Sequence, residues 1–143
     1  MVQELKRRHD WRGRLSAFLD ETRRDGFAWG KHDCALGLAC GAVEAITGAD
    51  LRKGWRGKYK TNKGALRALK KRGFDNVGDA FAAELPEYDN LLMAGVGDIA
   101  VVQSDDEFLE AMAVVDVSSL IILTSEGQGR IPRSRMVRAF KVG

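Results

Sequence analysis

Three consecutive residues, His32-Asp33-Cys34, carry the strongest chemical signal in this 143-residue chain. Asp33 has the right side chain for the N-cap of a helix, because its carboxylate can accept from the first free backbone N–H groups. That cap puts Cys34 in the first helical turn. There the positive end of the helix dipole and the unpaired N–H groups stabilise a thiolate and lower the thiol pKa. Lys31 and His32 add positive potential nearby. A thiolate so placed is the nucleophile that acyl transfer through a covalent intermediate requires. The competing reading is structural: an unpaired cysteine often serves as a small apolar side chain, here packing the start of a helix.

The other reactive side chains say less. Cys34 and Cys40 lie six apart on the same expected helix, which points them to different faces and excludes a disulfide without breaking the helix. With two histidines in the chain and no zinc-type spacing, neither a metal site nor a cofactor is expected. The glycines at 26, 30 and 37 match neither a P-loop nor a dinucleotide fingerprint. Cys40 reads as core, His9 as an exposed residue of a charged leader, and Trp29 as a packing anchor in the loop before the cysteine.

The elements that must hold these residues follow from periodicity. Leu15, Phe18, Leu19 and Thr22 have helical spacing, ended by Gly26. Asp33 opens a second helix through Ala35, Leu38, Ala39, Ala42, Val43 and Ile46, closed by Gly48. Residues 51–60 show no period and read as a loop. Thr61 or Asn62 caps a third helix carrying Leu66 and Leu69 and closed by Gly73, and a short helix near Gly78 to Leu85 is limited by Pro86. Beyond Gly95 the pattern becomes apolar runs and alternation: residues 98–102, 112–115, 119–123 and 136–142 read as four strands. Their short intervals favour antiparallel pairing. Helices first and a sheet afterwards predict one α+β domain over residues 1–143, with N-terminal helices packed on a C-terminal antiparallel sheet.

Composition narrows the function. The chain is 45% hydrophobic and 30% charged with two prolines, which gives enough apolar surface for a core. No apolar run reaches the roughly 18 residues of a membrane span, so no membrane insertion is expected. The first residues lack the apolar stretch of a signal peptide, and two cysteines make no disulfide scaffold, so synthesis in a reducing cytoplasm is expected. The net charge of +3 is unevenly spread. Ten basic residues between Arg52 and Arg72 are uninterrupted by Asp or Glu, with Trp55 and Tyr59 among them. Such a run suits either a polyanion, with Trp55 and Tyr59 stacking on bases or sugars, or a solvated helix face. The stretch from Asp105 to Asp116, with Asp106, Glu107 and Glu110, is acidic.

Taken together, Trp29-Gly30-Lys31-His32-Asp33-Cys34-Ala35, the helix ending at Thr47-Gly48, and Gly97-Asp98-Ile99-Ala100-Val101 resemble the NlpC/P60 class of papain-like cysteine peptidases. Closer still is the similarity to small NlpC/P60-like proteins of phage and prophage tail modules. These share the aromatic-Gly-x-x-Asp-Cys loop and a segment like Arg56-Gly57-Lys58-Tyr59-Lys60-Thr61 before a helix like Gly64 to Leu69. The resemblance spans roughly residues 15 to 143 and implies a papain-like fold with Cys34 as nucleophile. Asp33 would then cap the helix, and Asp98 would stabilise the turn into the first strand.

The resemblance also implies a histidine at the start of the second strand, as the general base. The matching segment here is Glu110 to Val115, with Ala111 or a neighbour at that position, and no histidine follows His32. His32 is the one imidazole near Cys34 in sequence, and Ser125, Glu126 or Gln128 can fill a third polar position but cannot replace a base. Losing a general base costs about 10²–10⁴-fold or more. The expected function is therefore a structural component of a phage tail tip or baseplate, made in the bacterial host cytoplasm and located in the virion. Its expected partners are other tail proteins and, as a further candidate, peptidoglycan. Nucleic acid is not expected. The two alternatives are an active peptidoglycan-degrading cysteine peptidase or amidase, and a polyanion-binding module using Arg52 to Arg72.

Overall fold

Five strands form one antiparallel sheet in the order β4-β3-β2-β1-β5. A computed structural model describes residues 2–103 and 110–143 of the chain. The strands are β1 (Ile99–Gln103), β2 (Glu110–Val115), β3 (Ser119–Thr124), β4 (Gly127–Pro132) and β5 (Met136–Phe140). Before them come α1 (Trp11–Thr22), a π-helical segment Cys34–Ala39 that runs directly into α2 (Cys40–Thr47), α3 (Asn62–Lys71) and α4 (Val77–Ala82). This is an α+β arrangement, as the order of patterns predicts.

Period-two alternation divides the sheet residues between two cores. Ile99, Val101, Met112, Val114, Ile121 and Phe140 face the helices, where Leu38, Ala42, Val43 and Ile46 of the central helix and Leu15 of α1 meet them. Ala100, Val102, Ala113, Val115, Leu120, Met136 and Ala139 face the other way, under Tyr88, Leu91 and Ala94. The whole central helix is buried between Leu36 and Val43 because it lies between α1 and the sheet. Two glycines permit that. A side chain at Gly41 would strike the Phe18 ring of α1, and one at Gly37 would fall 2.4 Å from His32 Nδ1.

The sequence predicts four strands, and the described residues form five. The addition, β4, reads Gly-Gln-Gly-Arg-Ile-Pro and has no apolar alternation. It is an edge strand, held by its pairing with β3 from Ser119↔Pro132 to Thr124↔Gly127 rather than by burial. The short fourth helix covers Val77–Ala82, capped by the Asn76 side chain, rather than extending to Leu85. The expected strand 136–142 ends at Phe140, and its pairing with β1 shifts between Val101 and Val102, which leaves Val137 half exposed. Of the acidic stretch, residues 104–109 lie outside the described residues. No described helix is long and apolar enough to cross a membrane.

Candidate functional site

The Asp33 carboxylate is 1% exposed, and both its oxygens are occupied. Oδ1 accepts from the N–H groups of Ala35 (3.1 Å) and Leu36 (2.7 Å), the N-cap predicted from sequence. Oδ2 accepts from Gly30 N–H (3.1 Å) and from the Tyr59 hydroxyl (2.6 Å). One carboxylate thus fastens three segments: the loop before the helix, the helix itself and the 51–60 loop. The helix then opens in π geometry, with Asp33 O accepting from both Gly37 N–H and Leu38 N–H. Single π turns occur frequently at functional sites.

Cys34 stands at this helix start on the wall of a cleft of about 560 Å³. Phe27, Trp29 and Tyr59 form one side. Trp29 meets Phe27 edge-on with centroids 4.7 Å apart, and Tyr59 at 6.5 Å. Leu66 and Leu69 of α3 and Val77 and Phe81 of α4 form another side. Trp55 also lines it, tilted on Phe74 at 6.3 Å with the Arg72 guanidinium over its ring at 4.2 Å. Gln103, Glu110 and Ala111 line it at the end of the sheet, where β1 finishes and β2 begins. Apolar walls with a few polar groups are the usual make-up of a small-molecule site.

The chemistry of the thiol differs from the sequence expectation. Burial pushes Cys34 up to about 11, and the Asp33 carboxylate adds to the rise. Backbone hydrogen bonds from Met112 and from the helix start pull the other way but are outweighed. The helix start is present as predicted; desolvation of the anion is the larger effect. Lys31 is exposed, and its backbone N–H donates to Ala28 O.

His32, the tentative base, does not border the cleft. Its imidazole lies against the backbone of Gly37, and its Nε2 is buried without a hydrogen-bond partner among the described residues. Its own backbone pairs with Ala28 and closes the loop that carries Trp29. The place foreseen for a histidine, Ala111, borders the cleft at the start of β2 but packs with the core facing away from the helices. Alternation instead puts Glu110 on the same side of β2 as Met112, so the strand offers a carboxylate there. No described imidazole lines the cleft. Gln128 is engaged elsewhere, donating to Leu19 O and Thr22 Oγ1 at 3.0 Å each. Ser125 and Glu126 lie between β3 and β4, away from the cleft lining.

Cys40 is buried core, as read, and burial pushes its thiol up to about 12. It also borders the cleft, although it is nearly fully buried while Cys34 is partly exposed. Both remain free thiols.

Asp98 lies apart from Cys34, before β1. Its Oδ1 accepts from Arg7 Nη2 (3.1 Å) and Val142 N–H (3.0 Å), and its Oδ2 from the Tyr88 hydroxyl and Gly95 N–H, both at 2.8 Å. It holds the turn, as expected, and ties both ends of the chain to it. Tyr88 and Arg7 have no sequence signal for this pairing; they lie 10 and 91 residues away from Asp98.

The basic run from Arg52 to Arg72 divides in two. Arg52 pairs with Glu44 (2.8 Å) and Asp50 (3.5 Å), Arg56 with Asp50 (2.9 Å), and Arg72 with Trp55 and Gly54 O. Lys53, Lys58, Lys60, Lys63, Arg67, Lys70 and Lys71 are exposed, with no ion pair among the described residues. Among these residues no cluster of metal-ligating side chains forms.

Across residues 6–142 the chain matches the family described as a domain of unknown function, DUF6950, and it belongs to that family. No curated protein and no solved structure matches it.

Proposed function

We propose that this chain is a degenerate papain-like domain of the NlpC/P60 type, serving as a structural subunit of a phage tail tip or baseplate. The observation that carries the non-hydrolytic part is that no imidazole among the described residues lines the cleft beside Cys34. Burial also pushes the Cys34 thiol up, away from the thiolate that nucleophilic attack requires. A cysteine peptidase needs an imidazole to accept the thiol proton and return it to the leaving amine. The carboxylate next to Cys34 in sequence does not replace it. Asp33 is saturated by four donors, and its charge opposes ionisation of the neighbouring thiol.

The tail assignment rests on the resemblance carried by Trp29-Gly30-Lys31-His32-Asp33-Cys34 and by Arg56 to Leu69. The structure supports keeping those residues for shape. Asp33 joins Gly30, the helix and Tyr59, so the same motif that would build a nucleophile also builds the cleft.

Two measurements test the two parts. Wild-type protein and Cys34→Ala are incubated with purified peptidoglycan, and released muropeptides are detected by mass spectrometry. No release from either is expected, and release that disappears in Cys34→Ala would make this a hydrolase. Tail particles purified from an induced source strain are expected to contain the chain at a fixed ratio to other tail proteins. Its absence from such particles would end the structural assignment.

A further inference from the structure

The charge of the cleft is opposite to the charge of the chain around it. Every ionisable carboxyl or basic side chain among its described lining residues is acidic: Asp33, Asp75, Glu84 and Glu110. No Lys, Arg or His is among them, although the chain carries 23 Lys and Arg and a net charge of +3. Lys63 and Arg67 stand on α3, the helix whose Leu66 and Leu69 form a cleft wall, yet they face solvent. The acidic lining is therefore a local feature, and it opposes the net field of the molecule.

Two of the four carboxylates are spent. Asp33 accepts four hydrogen bonds, and Glu84 accepts from the Gln3 side chain at 2.5 Å. Asp75 and Glu110 have no hydrogen bond or ion pair among the described residues. Among the described residues, Arg138 is a cation close to Glu110. A side chain built at Gly78 would meet both Arg138 Nη1 (2.6 Å) and Glu110 Oε2 (3.2 Å). That guanidinium is already committed, with both carboxylate oxygens of Glu87 at 2.8 Å and Asp79 at 2.9 Å. Three carboxylates thus surround one guanidinium, and a net negative potential is left at the end of the cleft that Glu110 occupies.

The rest of the cleft is apolar and aromatic. Trp55 already has a cation over its ring, Arg72, while Trp29 meets both Phe27 and Tyr59 edge-on. Aromatic walls attract both apolar groups and organic cations.

We infer that the cleft binds an ammonium ligand with an apolar body, its charge set against Glu110 and its body against the wall of Trp29, Tyr59 and Phe27. Asp75, exposed at the rim, adds attraction for the same charge. This rests on the cleft being a binding surface rather than a hydrolytic one. The test is independent of peptidoglycan turnover, because it reads equilibrium binding alone.

Three probes with one body separate the contributions: 3-phenylpropylamine, 3-phenylpropan-1-ol and 3-phenylpropanoate. Binding to the full chain is followed by calorimetry and by the emission of Trp29 and Trp55. The amine is expected to bind about tenfold more tightly than the alcohol, and the carboxylate most weakly. Glu110→Gln, which keeps the shape, is expected to bring the amine to the level of the alcohol and leave the alcohol unchanged. Asp75→Asn, on an exposed residue with no fold contact to lose, is expected to give a smaller loss of the same kind. Added salt should weaken the amine and spare the alcohol. Equal binding of all three, tighter binding of the carboxylate, no binding of any, or a loss in folded Glu110→Gln that is the same for all three would each overturn the inference.

Discussion

Two buried carboxylates organise this molecule, and they are neutralised in different ways. Asp33 and Asp98 are 1% and 2% exposed, and each accepts a tyrosine hydroxyl and backbone N–H groups. Asp98 has in addition the Arg7 guanidinium, which also donates to Val142 O and Val96 O at 2.8 Å each. Asp33 has no cation. Three N–H dipoles and the Tyr59 hydroxyl hold it, and its charge adds to the burial that raises the Cys34 thiol and the Tyr59 phenol. Asp98 adds to the burial that raises Tyr88, but there Arg7 pulls the other way. A carboxylate with a full counter-charge is a fastener. One held by dipoles is a fastener that also sets the electrostatics of a cleft.

The comparison is broken most severely at the fastener. Asp98→Ala leaves Arg7 and the N–H groups of Gly95 and Val142 without their acceptor, and removing one partner of a buried pair costs about 3–5 kcal/mol. Denaturant unfolding is expected to show that loss. Asp33→Asn keeps an acceptor oxygen for the helix start and is expected to cost about 1–2 kcal/mol, in the range of a damaged N-cap. Similar losses from the two substitutions would mean that the guanidinium at Asp98 does not distinguish the sites.

The tyrosines sharpen the same contrast. A hydrogen bond to a charged group contributes about 1.5–3 kcal/mol, so Tyr59→Phe is expected to fall in that range. Tyr88→Phe is expected to cost less, because Arg7 continues to balance Asp98 after the hydroxyl is gone. Unfolding of the two variants under one set of conditions checks the order, and a larger loss for Tyr88→Phe would reverse it.

What could be read in advance depended on whether the signal was local. The Asp33 cap, the helix through Ile46 and its stop at Gly48, with φ of +85°, follow from neighbours in sequence, and the structure has them. So does the Thr61 cap of α3, which accepts from Gly64 N–H. β4 was missed because an edge strand of Gly-Gln-Gly-Arg-Ile-Pro is held by its partner and not by its own pattern. The state of Cys34 was misread for a related reason. A helix start can be read from sequence, but the burial that opposes it arises from the cleft that α3, α4 and the end of the sheet build around Cys34. Glu110 was visible as one charge in an acidic run. Its place on the Cys34 side of β2 needed the strand register.

The smallest expected effect separates burial from charge at Cys34. Burial is the larger cause of its raised pKa and the Asp33 carboxylate a lesser one, so Asp33→Asn should lower the thiol by less than burial raised it. Alkylation by iodoacetamide, followed as a function of pH, reads this directly, since the thiolate is the reacting form. Fragment ions separate Cys34 from Cys40, which share a tryptic peptide. Wild type should react far more slowly than an unfolded thiol through pH 8–9, with a small gain in the variant. The sign of the linked stability follows from the same shift. The unfolded thiol ionises near 9 and the folded one near 11, so in that interval the unfolded state holds fewer protons. The stability that Cys34 contributes is therefore complete below about pH 9 and is lost as pH rises toward 11. Cys34→Ala should be less sensitive to pH over that window than wild type. A Cys34 that alkylates at pH 8 as fast as a free thiol, in a folded protein, would show that the cleft leaves the sulfur in water, and the contrast with Asp98 would then reduce to stability alone.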